Sequence, residues 1–124
     1  MQFSNILQAV LLLGATPALV HAANCNPGAN NWGVTTSQYQ QAASAICNGG
    51  TDVETFFGSV GGGTGRYVKS WFTGSQGSRS QCWNAFNNII SQCTQSQNRD
   101  GGSWDWSYNG DQQHYGLQSY YRKM

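Results

Sequence analysis

Charge is scarce in this chain. Asp, Glu, Lys and Arg together make up 9 % of 124 residues, and the formal net charge is only +1. A protein that binds nucleic acid through phosphates needs a clustered basic face. Here Arg66, Lys69, Arg79, Arg99, Arg122 and Lys123 are scattered, and only Tyr121-Arg122-Lys123 groups any of them. No nucleic-acid partner is expected. There is no Asn-x-Ser/Thr sequon, so N-glycosylation is not expected either. A Cys-x-x-Cys pair is also missing, which leaves the cysteines without metal-site spacing, and no metal or cofactor is expected. Disorder is excluded by the 13 % of aromatic residues, too much apolar surface to leave solvated.

Long apolar runs are limited to one. Ile6 to Val20 has signal-peptide length, is too short to span a bilayer comfortably, and has no polar face. Val20-His21-Ala22 places a small residue before a cut. The expectation is a secretory signal over residues 1–22, then one extracellular domain over residues 23–124 with no membrane anchor.

Four cysteines remain: Cys25, Cys47, Cys82 and Cys93. An even number in a short exported chain reads as a disulfide framework. Thr35 to Cys47 reads as a helix, with Tyr39, Ala42, Ala43, Ile46 and Cys47 on one stripe, Thr36 or Ser37 as cap and Asn48-Gly49 as stop. Ser80 to Cys93 reads as a second helix, with Cys82, Phe86, Ile89, Ile90 and Cys93 on one face and Trp83 beside them. Between the helices, Val53 to Val60 and Arg66 to Thr73 flank a Gly-rich tip, a hairpin pattern. Ser103 to Tyr108 alternates, Asn109-Gly110 is a strong hairpin turn, and Gln112 to Leu117 would return. The order predicts an α+β fold with two antiparallel helices packed on an antiparallel sheet.

On an intact helix Cys82 and Cys93 lie about 16 Å apart along the axis, too far for a disulfide. Each must pair with Cys25 or Cys47. A hairpin between the helices makes them antiparallel, which favours Cys25–Cys93 with Cys47–Cys82. The parallel alternative is Cys25–Cys82 with Cys47–Cys93.

Catalytic residues are hard to find. If His21 leaves with the signal, His114 is the one remaining histidine, which excludes the two-histidine chemistry of the secreted fungal guanyl-specific ribonucleases that this composition resembles. Asp52 and Glu54 would share a strand face at a spacing close to that of a glycosidase carboxylate pair. Ser107, Asp111 and His114 could be drawn as a triad, but nothing places them beside oxyanion donors. No catalytic residue is assigned, and the protein is read as a non-enzyme.

The aromatic strand offers more. Trp104, Trp106 and Tyr108 would line one face with rings about 7 Å apart. Such a row can stack against sugar rings, with Asp105 and Asn109 near enough to bind hydroxyls. It can equally be the core face of the last hairpin. These five residues are the candidate ligand-binding set.

Cys25 followed by Trp32-Gly33, the helix ending in Cys47, Cys82 and Cys93 enclosing Phe86 and Ile89, and Gly101-Gly102-Ser103-Trp104-Asp105-Trp106 together carry a resemblance. The chain resembles a family of small secreted fungal proteins founded on a mushroom antiviral lectin. The likeness covers nearly all of residues 23–124. It implies an α/β sandwich, extracellular location, sugar binding and dimerisation through sheet edges. The family often carries a further cysteine pair that this chain lacks. A weaker similarity, to killer-toxin-like α/β sandwich effectors, implies action on other cells. A small secreted hydrolase is the third reading.

Overall fold

The structure is a computed structural model and describes residues 22–124. The expected leader lies outside these residues except for Ala22. The elements are β1 (Asn24–Cys25), α1 (Thr36–Cys47), β2 (Asp52–Gly61), β3 (Thr64–Gly74), α2 (Cys82–Ile89), a π-helical turn (Ile90–Gln95), β4 (Gly101–Tyr108) and β5 (Asp111–Lys123). The five strands form one antiparallel sheet in the order β1-β4-β5-β3-β2. The expected α+β class is therefore observed.

Helix α1 is capped one residue earlier than the first expected position, Thr36. Thr35 is the cap: its hydroxyl accepts from Gln38 N–H, and the Gln38 side chain accepts from Thr35 N–H, each at 3.1 Å. The second helix starts later than expected, and its last turn widens. From Ile90 on, the Thr94 hydroxyl donates to Ile90 O at 2.8 Å and the Ser96 hydroxyl to Ser91 O at 2.8 Å. The Ser91 carbonyl also accepts from the Ser96 backbone N–H, the longer-range bond of the widened turn. Ile90, Cys93 and Thr94 stay buried through the wider turn. Trp83, expected beside the apolar face, is instead 45 % exposed.

The two hairpins close through glycine. Gly62 and Gly63 sit at φ 61° and 74°, and Asn109 and Gly110 at φ 48° and 81°, the paired left-handed residues of a tight hairpin turn. Strand β5 runs on to Lys123, well past the expected Leu117, because it pairs with β3 along its whole length as well as with β4. The short β1, pairing at Asn24↔Ser103 and Cys25↔Gly102, was not expected.

Both helices cover one face of the sheet. Tyr39, Ala42, Ala43 and Ile46 of α1, with Ala85, Phe86 and Ile89 of α2, pack on Val68, Phe72, Trp104, Tyr115 and Leu117. Most of the polar groups in this layer are paired, although Asp111 Oδ1 and Arg79 Nε are buried without a hydrogen-bond partner. Gln113, 1 % exposed, accepts from Gln81 N–H and Tyr115 Oη and donates to Ser80 Oγ and Asp111 Oδ2. The Tyr39 hydroxyl lies 2.7 Å from Ser119 Oγ, and burial pushes its pKa up to about 12. Arg79 donates to Gly50 O at 3.1 Å, just past the end of α1, while its guanidinium lies 4.6 Å from the Phe72 ring centre.

The disulfides are Cys25–Cys93 and Cys47–Cys82, with Cα separations of 5.2 and 5.6 Å. The end of α1 is thus bonded to the start of α2. At the opposite end Gln95 Nε2 reaches Thr36 Oγ1 at 3.3 Å, so the helices run antiparallel as expected. Replacing either pair by serines should lower stability by about 4 kcal/mol from loop entropy, read as a shift in the denaturation midpoint. Peptide mapping should recover these two linkages and no others.

Candidate functional site

Strand alternation sends neighbouring side chains to opposite faces, and the register fixes which ones. Beside the helices stand Gly102, Trp104, Trp106 and Tyr108 of β4, opposite Leu117, Tyr115, Gln113 and Asp111 of β5. Asp105 therefore stands on the other face from the aromatic row. The five expected ligand residues do not form one site. Trp104 is 1 % exposed and belongs to the core. Trp106 is half-buried against the edge of that core. Tyr108 is 65 % exposed, with its ring 6.1 Å from that of Trp106. Asn109 forms the turn. Burial along the row is graded because the hairpin outruns the helices covering it.

The helix-free face carries Asp52 and Glu54 of β2, Lys69, Trp71 and Thr73 of β3, His114 and Gln118 of β5, and Asp105 of β4. Trp71 stands opposite Gly116 in the register. A methyl group built on Gly116 would overlap Cε2, Cζ2 and Nε1 of Trp71, so the indole is laid across β5 in the space a side chain would fill. Trp71 is half-buried there. It was missed in the sequence. The available signal was the alternation of Tyr67, Lys69, Trp71 and Thr73 against the more apolar Val68, Ser70 and Phe72.

Two open depressions lie along this face, and the indole lines the first of them. One, of about 530 Å³, is lined by Asp52, Lys69, Trp71, Thr73 and Gln118. The other, of about 690 Å³, is lined by Thr73, Asp105, Trp106, Ser107, Gln112 and His114. In the second, the His114 Nδ1–H donates to Asp105 Oδ1 at 2.5 Å, across a directly opposed strand pair. That bond orients the imidazole and leaves Nε2 as its second hydrogen-bonding atom. In the first, Lys69 Nζ lies 4.0 Å from Asp52 Oδ1.

The candidate catalytic groups are not assembled. Asp111 faces the helix side and accepts from Gln113, so the carboxylate partner of His114 is Asp105 instead. Asp52 and Glu54 do share a face, on the edge strand. Glu54 Oε1 accepts from Arg122 Nη2 at 2.6 Å, and Oε2 accepts from Tyr120 Oη and Arg122 Nε. The Arg122 bonds come first and the Tyr120 bond second in holding its pKa down, from 4.5 to about 2. A general acid needs the opposite shift. Among the described residues, no three or more His, Cys, Asp or Glu side chains group as metal ligands.

Gly116→Ala should displace the indole, lowering stability by about 1–3 kcal/mol and changing the near-ultraviolet circular dichroism. The Glu54 carboxylate adds stability that is complete above pH 4.5 and is lost as pH falls to about 2. Its side chain is 32 % exposed, so solvent screening keeps the contribution to about 1 kcal/mol or less. Glu54→Gln should therefore flatten the fall in melting temperature over that pH window by a few degrees.

No protein-family model, no curated protein and no solved structure matches this chain.

Proposed function

We propose that this is an exported, non-enzymatic glycan-binding protein whose ligand docks on the helix-free face of the sheet around Trp71. The observation that carries the reading is the indole laid over Gly116, with polar side chains on both sides of it. A pyranose ring turns C–H groups to one side and hydroxyls to its rim. An aromatic surface ringed by fixed donors and acceptors complements that shape. Asp52, Lys69 and Gln118 supply the groups on one side of the indole, and Asp105 and His114 on the other. All five project from strands, so little conformational entropy is lost when a ligand settles.

Two supports are indirect. The disulfides suit an oxidising compartment, in keeping with export. The lowered Glu54 pKa and the separation of Asp111 from His114 leave the hydrolase reading without an assembled acid and base. Trp106 projects to the helix side of the sheet and takes no part in this scheme.

A glycan array probed with wild type, Trp71→Ala and Trp106→Ala tests the proposal. Wild type should bind. Trp71→Ala should lose about 10- to 100-fold in affinity, the equivalent of about 1.4–2.8 kcal/mol, and Trp106→Ala, on the opposite face, should bind as wild type does. Absence of wild-type binding to every glycan overturns the reading.

A further inference from the structure

We infer that the face takes a linear, uncharged oligosaccharide rather than a single sugar, with the chain crossing the strands over Trp71. The inference rests on the glycan-binding reading and specifies its ligand class. Its first ground is continuity. The two depressions are not separate sites, because Thr73 lines both. Thr73 is paired with His114, which is in turn paired with Asp105, so the polar row runs without a break from β3 through β5 to β4.

The second ground is width. Asp52 stands on β2 and Asp105 on β4, with β3 and β5 between them. Three strand spacings separate them, about 14 Å. A pyranose ring is only about as wide as one such spacing of about 5 Å. One ring on Trp71 reaches the groups of one depression and leaves the other in water. A chain of rings occupies both.

The third ground is charge. Each end holds one carboxylate beside one nitrogen group, Asp52 with Lys69 and Asp105 with His114. Lys69 is the only Lys or Arg lining either depression, against two carboxylates. Sulfate or carboxylate groups on a glycan would meet no basic cluster there, whereas paired donors and acceptors suit neighbouring hydroxyls. The indole then holds the middle of the chain, and the two polar ends fix its length and direction.

The experiment is an array carrying each neutral sugar as the monosaccharide and as linear oligosaccharides up to the tetrasaccharide, with sulfated and sialylated counterparts. Wild type should bind at least one neutral tetrasaccharide about tenfold or more tightly than its monosaccharide, and should bind the acidic forms more weakly. Asp52→Ala and Asp105→Ala should each narrow that preference for length, with unchanged melting curves confirming the fold. Equal affinity for monosaccharide and tetrasaccharide overturns the extended site while leaving the glycan reading intact. So does a length preference that neither substitution alters. Preference for acidic forms overturns the assignment to uncharged chains. Binding to nothing on the array overturns both readings together.

Discussion

One disulfide clamps the helix pair together and the other ties it to the sheet, and the rest of the molecule follows from that constraint. Cys47–Cys82 joins the end of α1 to the start of α2, and Cys25–Cys93 ties the first strand to the far end of the same helical layer. Net stabilities of domains are only about 5–15 kcal/mol, so two crosslinks of this kind are a large fraction of the total. They hold both helices to one side of the sheet. Among the described residues no helix covers the opposite face.

An open face still has to manage its large side chains. At one end it covers itself. Tyr67, only 8 % exposed without any helix above it, lies under the Arg122 guanidinium and beside the rings of Phe56 and Tyr120. The same Arg122 holds Glu54. In the middle the solution differs: Gly116 gives up its side chain so that Trp71 can lie across the sheet. The first arrangement closes on itself, and the second leaves an aromatic ring accessible among polar neighbours. This contrast is why the central region, and not the Tyr67 cluster, reads as a docking surface.

The cysteine pairing, both hairpins and the stripe of α1 were legible because each is a short-range signal. Helical periodicity excluded a Cys82–Cys93 bond, and a turn of Asn109-Gly110 admits few geometries. What was not legible depended on partners distant in sequence. The π-helical turn keeps Ile90, Cys93 and Thr94 buried at a wider spacing, which α-helical periodicity does not register. Strand β1 forms because Cys93 holds Cys25 beside Gly102. The aromatic row of β4 was correctly placed on one face. Where the helices stop covering it decides that Trp104 is core and Tyr108 is surface, and no local pattern encodes that. Trp71 needed knowledge that Gly116 lies opposite, more than forty positions away in the chain.

The two rims of the sheet are unlike. Strand β2 pairs regularly from Asp52 to Phe56 and is irregular beyond, with register shifts between Phe56 and Ser59 and between Ser59 and Gly61, and with Gly58 at φ 101°. Such bulges spoil the row of amides and carbonyls that an incoming strand would need. On the other side β1 shields only Gly102 and Ser103, so β4 from Trp104 onward offers a regular row. An endless ribbon of sheets requires two competent rims on every copy. The bulges cut the regular part of the β2 rim to its first half, which shortens the row from which growth into fibres could continue.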